Sequence, residues 1–279
     1  MWKRLSALLL VLGLAFGQKP TAVATIQPHA LFLRSLVGDR MEVGLLVPPS
    51  TNPHVFDPSP SQVQAVARAR LVVANGAKLD DWILDKVVRP NSLKTPVVVL
   101  AEALEAGLIK TPTGPDPHFW LDPLLMAKSL PSLVEALSQV DSAGGAVYRA
   151  RAARLEAELA RLDREVAGLL QTRKAPGVLT FRNPLRYFAA RYGVRVLYNI
   201  VPNPEAPDVS AKAVAEAQRV AKEAGVRHLL IPLAAKEQGV AVARNLGLEP
   251  VLVDVLGEGA RDYPTLLRGV AEAFAQSLR

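Results

Sequence analysis

The 279-residue chain carries four histidines, His29, His54, His118 and His228, and no cysteine. Thiolate chemistry is thereby excluded, and any metal ion must be held by imidazole nitrogen or carboxylate oxygen. His54 ends the proline-rich run Pro48-Pro49-Ser50-Thr51-Asn52-Pro53, which cannot be helical. His118 sits inside Asp116-Pro117-His118-Phe119-Trp120-Leu121-Asp122-Pro123. Asp254 ends the last apolar strand expected, just before Leu256-Gly257. Two imidazoles and a carboxylate on separate loops form a donor set for a divalent first-row metal such as zinc or manganese. The chain has no close His-x-x-x-His pair, so spacing alone leaves a loop or core role open for each histidine. His29, at a helix start, and His228, opening an apolar strand, read as structural. Asp116 and Asp122 read as cap or turn residues, and Trp120 as a packing residue.

The elements that must position these side chains alternate along the chain. Apolar, β-branched strands are expected at 21–26, 41–47, 71–74 and 96–100, separated by helices at 30–37, 60–68 and 80–88. Ser59 and Pro60 form a helix start, and Gly38 a helix stop. The segment 107–116 reads as a loop and 124–140 as one helix. In the second half, strands at 177–180, 194–200, 228–231 and 250–254 alternate with helices at 184–192, 210–224, up to 246, and 264–278. This alternation predicts an α/β fold with two lobes, each a mainly parallel sheet covered by helices. Between them, Leu155, Leu159, Leu162, Val166 and Leu169 recur at helical spacing within 146–170. A helix of this length spans nearly 40 Å at about 1.5 Å per residue and reads as a rigid connector. The expected organisation is a leader at 1–17, a first lobe at 18–143, the connector at 144–174 and a second lobe at 175–279.

The leader has a basic start at Lys3 and Arg4, an apolar run at 5–14 and the small-residue ending Ala15-Phe16-Gly17. This is the pattern of a cleavable secretory signal, and its apolar run is short for a membrane span. The protein is therefore expected to be periplasmic or secreted, and the absence of cysteine removes a lipid attachment point. The formal charge of +7 falls to +5 when Lys3 and Arg4 leave. The remaining basic residues are scattered on helical segments, which argues against nucleic-acid binding. A phosphate-cradling glycine loop and a Gly-x-Ser-x-Gly turn are both missing from the sequence.

Asn52-Pro53-His54-Val55-Phe56-Asp57-Pro58-Ser59-Pro60 and Asp116 to Pro123 resemble the two histidine motifs of the zinc- and manganese-binding solute-binding proteins of ABC importers. Val72-Val73-Ala74-Asn75-Gly76, the segment 186–193 and Leu252-Val253-Asp254-Val255-Leu256-Gly257 follow the same family, so the resemblance covers nearly the whole chain beyond the leader. It implies two α/β lobes joined by one long helix, a metal ion held between them as cargo, and delivery to a membrane permease. It places metal ligands at His54, His118 and Asp254. The remaining ligand position of the family falls on Arg182, in Thr180-Phe181-Arg182-Asn183-Pro184. A guanidinium has no lone pair to offer. Three readings follow. Water or a neighbour fills the fourth position; Arg182 pairs with Asp254 and no metal binds; or Arg182 helps to hold an anion or a metal chelate.

The leading expectation is an exported, monomeric binding receptor for zinc or manganese, without catalytic residues. The competing classes are an exported metal-dependent hydrolase and a structural or adhesive exported protein. The hydrolase would need a general base, and no glutamate adjoins either histidine.

Overall fold

A computed structural model describes residues 19–49, 51–202 and 209–279. The leader expected at 1–17 and Ser50 of the proline-rich loop lie outside the described residues. The first half builds a parallel sheet from β1 (Thr21–Ala24), β2 (Glu42–Leu45), β3 (Leu71–Ala74) and β4 (Val97–Val99), in the order β2-β1-β3-β4. Helices α1 (Gln27–Val37), α2 (Pro60–Arg68) and α3 (Leu100–Ala103) accompany it, and β5 (Lys110–Thr111) and β6 (Gly114–Pro115) form a small hairpin. Helices α4 (Pro123–Ala127), α5 (Leu130–Val140) and α6 (Gly145–Gln171) lead to the second half. There β7 (Val178–Arg182), β8 (Val196–Val201), β9 (His228–Pro232) and β10 (Glu249–Val253) form a second parallel sheet in the order β10-β9-β7-β8. Its helices are α7 (Arg186–Arg191), α8 (Ala211–Ala224), α9 (Lys236–Asn245) and α10 (Tyr263–Ser277). The inner strands β3 and β9 are buried along their whole length, as continuous apolar runs covered on both faces require.

Three local expectations differ from the structure. The helix expected over 124–140 is broken at Lys128 and Ser129. Pro131 explains the break, since inside one continuous helix its ring would clash with the carbonyl four residues earlier. Residues 80–88 form not a regular helix but a wide π-type turn at Ile83–Val88, with Arg89 N–H donating to Leu84 O at 3.0 Å. The loop at 107–116 contains the β5–β6 hairpin, whose two-residue strands are too short to leave a periodic pattern.

Helix α6 follows its expected course, with one change of register: Leu170 is buried, whereas Leu169 is 45% exposed. It serves as a spine shared by both halves. Near its N-terminal end Arg151 donates to the carbonyl oxygens of Val37 (2.5 Å) and Leu36 (3.3 Å) in the first half. The guanidinium lies against Gly38, whose φ of +53° and missing Cβ both suit this close approach. Toward its C-terminal end Asp163 takes a two-point contact from Arg191 at 2.7 and 2.9 Å, and Glu165 pairs with Arg268 at 3.2 Å.

Both halves share one core. Phe32 of α1 meets Tyr263 of α10 edge-on at 5.1 Å, and both are fully buried. Trp120, 1% exposed, donates its indole N–H to Val255 O at 2.8 Å, and the Tyr263 hydroxyl donates back to Trp120 O. On the opposite side the Tyr187 hydroxyl donates to Asp116 O at 2.8 Å and accepts from Ile109 N–H at 2.9 Å.

His29 is buried in this core, as its structural reading expects. Its Nε2–H donates to Asn75 Oδ1 at 2.8 Å, while Nδ1 has no partner among the described residues. Burial pushes its pKa from the ordinary 6.5 down to about 4, against a smaller opposing effect of the Asn75 bond. The unfolded chain therefore binds more protons between these values, and stability falls as the pH drops from 6.5 toward 4. The loss attributable to His29 reaches about 3 kcal/mol at the acid end. Urea unfolding of His29→Gln across this range should show a correspondingly shallower pH dependence; an unchanged slope would show that His29 is not the group responsible.

Candidate metal site

His54 lies in a short 3-10 turn, Pro53–Val55, after β2, and its N–H donates to the Asn52 side chain at 3.1 Å. His118 precedes another such turn, Phe119–Leu121, and donates its backbone N–H to Asp116 Oδ1 at 3.0 Å. The two rings face each other with centroids 5.5 Å apart, and His118 also lies 5.2 Å from Trp120. The loop beneath His118 is held from several sides. Tyr187 grips Asp116 O, and Asn75, itself set by His29, donates from Nδ2 to Pro117 O at 3.2 Å. The Asn75-Gly76 turn is in turn fixed by Asp80, whose carboxylate accepts both backbone N–H groups at 2.7 Å.

Asp116 does more than the turn role expected of it. It is 6% exposed, and its Oδ1 lies 2.7 Å from His118 Nδ1. With the carboxylate as acceptor this contact puts a ring proton on Nδ1, so that the neutral tautomer it selects carries its lone pair on Nε2, the one a metal ligand needs. Burial opposes ionisation of Asp116, but the bonds from His118 and the charge of Arg186, 3.5 Å away, hold its carboxyl below the ordinary value. His54 is pushed down to about 4, first by burial and then by repulsion from His118, with Asp116 opposing. At neutral pH it is therefore uncharged and also has a lone pair.

The rings open into a cavity of about 690 Å³ between the halves. Its walls include His54, Lys78, His118, Arg182, Arg186 and Gln238, most of them on loops and helix starts that follow parallel strands. That is where open α/β sheets collect ligands. Arg182 ends β7, with its guanidinium 5.9 Å from the centre of the Phe181 ring. Asp254 lines an adjoining cavity of about 570 Å³, which shares Ala234, Ala235, Gln238, Val255 and Leu256 with the first. Its carboxylate accepts backbone N–H groups from Leu256 (3.1 Å), Gly257 (2.7 Å) and Gly259 (3.1 Å). Among the described residues, no three His, Asp or Glu side chains are gathered closely enough to hold a metal. The structure thus brings His54 and His118 together and leaves Asp254 tied to its own turn.

Asp122 caps α4 by accepting Leu124 N–H (2.9 Å) and Leu125 N–H (3.0 Å), as its position before Pro123 suggests. His228 is buried at the start of β9, with Nε2 3.3 Å from Glu249 and far in sequence from either motif. Sequence reasoning missed Lys78, Arg186 and Gln238 as cavity residues. Each lies in or beside a turn where sequence spacing says nothing about direction, so only the fold reveals them. Replacement of Asp116 by Ala should let the His118 proton redistribute between the two ring nitrogens, readable in imidazole ¹⁵N chemical shifts. An unchanged Nδ1–H tautomer would show that Asp116 does not set it.

The model of the periplasmic zinc-uptake complex component A family, ZnuA, matches residues 22–277. The chain is 25% identical over 256 residues to the manganese-binding lipoprotein MntA of Halalkalibacterium halodurans, covering 88% of this chain and 84% of that protein. It is 24% identical over 306 residues to the high-affinity zinc uptake system protein ZnuA of Paracoccus denitrificans, covering 95% and 93% respectively. A crystal structure of ZnuA superposes with a TM-score of 0.84 at 25% identity, over 94% of this chain and 100% of that one. With its two helix-covered parallel sheets, its long helix and the family match across nearly all of its described length, the chain belongs to the periplasmic zinc-uptake complex component A family.

Proposed function

We propose that this protein is the exported substrate-binding component of an ABC importer, which takes a divalent transition metal, zinc or manganese, between its two halves and passes it to a membrane permease. The facing of His54 and His118 across one cavity carries the reading, together with the Asp116 contact that gives His118 a free Nε2. Imidazole nitrogens are good donors for zinc or manganese. MntA of H. halodurans is named as manganese-binding and ZnuA of P. denitrificans as a zinc uptake protein, so both metals stand as candidates. Asp254 accepts three backbone N–H groups of its own turn, and the family's remaining ligand position is held by Arg182. The protein acts as a receptor with no catalytic residues assigned.

The test is a thermal-melt series on metal-stripped protein with zinc and with manganese. Binding to the native state alone raises the midpoint as ligand concentration increases. The expected result is an upward shift that is lost in His118→Ala, while Arg182→His, which restores an imidazole at that position, should enlarge it. A wild-type shift that persists in His118→Ala would end this assignment. Asp254→Ala separates the roles of the carboxylate. We expect it to destabilise the metal-free protein by about 1–3 kcal/mol through the lost acceptor for backbone amides, and to leave most of the metal-induced shift in place. A shift abolished without loss of stability would instead make Asp254 a ligand.

A further inference from the structure

Asp116 joins the two halves at the candidate ligand His118. Its Oδ1 accepts both the ring Nδ1–H (2.7 Å) and the backbone N–H (3.0 Å) of His118. Its Oδ2 lies 3.5 Å from Nε of Arg186, and its backbone carbonyl accepts the Tyr187 hydroxyl at 2.8 Å. Arg186 and Tyr187 are consecutive residues that open α7, in the second half. Tyr187 is 2% exposed, so the first turn of α7 is pinned against Asp116 and the guanidinium is kept within reach of its outer oxygen. Arg186 is 43% exposed, and a pair between two side chains as open as that contributes little. Asp116, however, is 6% exposed, and at that depth water and salt screen the contact less.

The chemistry follows from the charge that the two carboxylate oxygens share. A carboxylate behind a ligating imidazole raises the basicity of the nitrogen that holds the metal, and losing such a partner typically costs about 10–100-fold in affinity. A cation on the far oxygen draws that charge away, so Asp116 accepts less strongly from Nδ1–H and Nε2 donates less strongly to a metal. Resting on the metal-receptor reading, we propose that Arg186 is a positioning residue that acts through Asp116: it moderates the grip of His118 on the metal, and lets the second half set the strength of a ligand carried by the first. For a receptor that must give up its cargo, such moderation is as useful as strength.

The test measures zinc and manganese affinity of metal-stripped protein, by competition with a chromophoric chelator, in the wild type, Arg186→Gln, Asp116→Asn and the double variant. Asp116→Asn keeps an acceptor oxygen toward His118 and removes the charge. Arg186→Gln should bind about threefold more tightly, a fraction of the full effect of such a carboxylate. That gain should vanish in the Asp116→Asn background, which a double-mutant cycle reads directly. In the metal-free protein the His118 Nδ1 proton should also move downfield in Arg186→Gln, as its bond to Asp116 strengthens. This second reading does not require Asp116→Asn to keep its metal. An equal gain in both backgrounds would mean that Arg186 merely repels the cation through space, and would overturn the proposal. Unchanged or weaker binding in Arg186→Gln, or an unmoved Nδ1 proton, overturns it too, and each of these results leaves the metal receptor standing. A wild type that binds neither ion overturns both.

Discussion

One indole organises the molecule. Trp120 is buried where the two halves meet and is held at both ends by the second half, through Val255 O on its ring nitrogen and Tyr263 on its carbonyl. His118 stands two residues before it and the α4 cap Asp122 two residues after it. The position of the metal-competent imidazole is thus a by-product of packing a large aromatic. Burying such a side chain stabilises by several kcal/mol, and that surplus holds the loop around it in a single arrangement. The network of Asn75, His29, Asp80 and Tyr187 adds polar restraints around the same loop.

Much of this architecture was legible in the residues. Continuous apolar runs such as Leu71–Ala74 suit strands covered on both sides, and the spacing of Leu155, Leu159, Leu162 and Val166 suits one helix face. The errors occurred where a local pattern met a longer-range demand. Leu169 continues the leucine spacing as well as Leu170 does, but the twist of a long helix relative to two packed halves selects the latter. Pro131 was visible but is compatible with a helix start, and only the packing of α4 and α5 as separate pieces makes it a break.

The site was legible by type and not by direction. His54 and His118 stood out because their segments match a family pattern, and the structure sets their rings side by side. The carboxylate of Asp254 also matches, but a sequence does not reveal that three following amides point back at it. The role of Asp116 was hidden for the opposite reason: an aspartate two residues before a histidine is common in turns, and its value as an orienting base depends on the depth at which the loop is buried. Arg182 was visible as a departure, but its companions Lys78 and Arg186 needed the fold to join it.

The shared core has a mechanical consequence. Tyr263 and Phe32, Trp120 and Val255, and Tyr187 and Asp116 tie the halves together at several points, so opening them like a clam shell would tear apolar surface and hydrogen bonds at once.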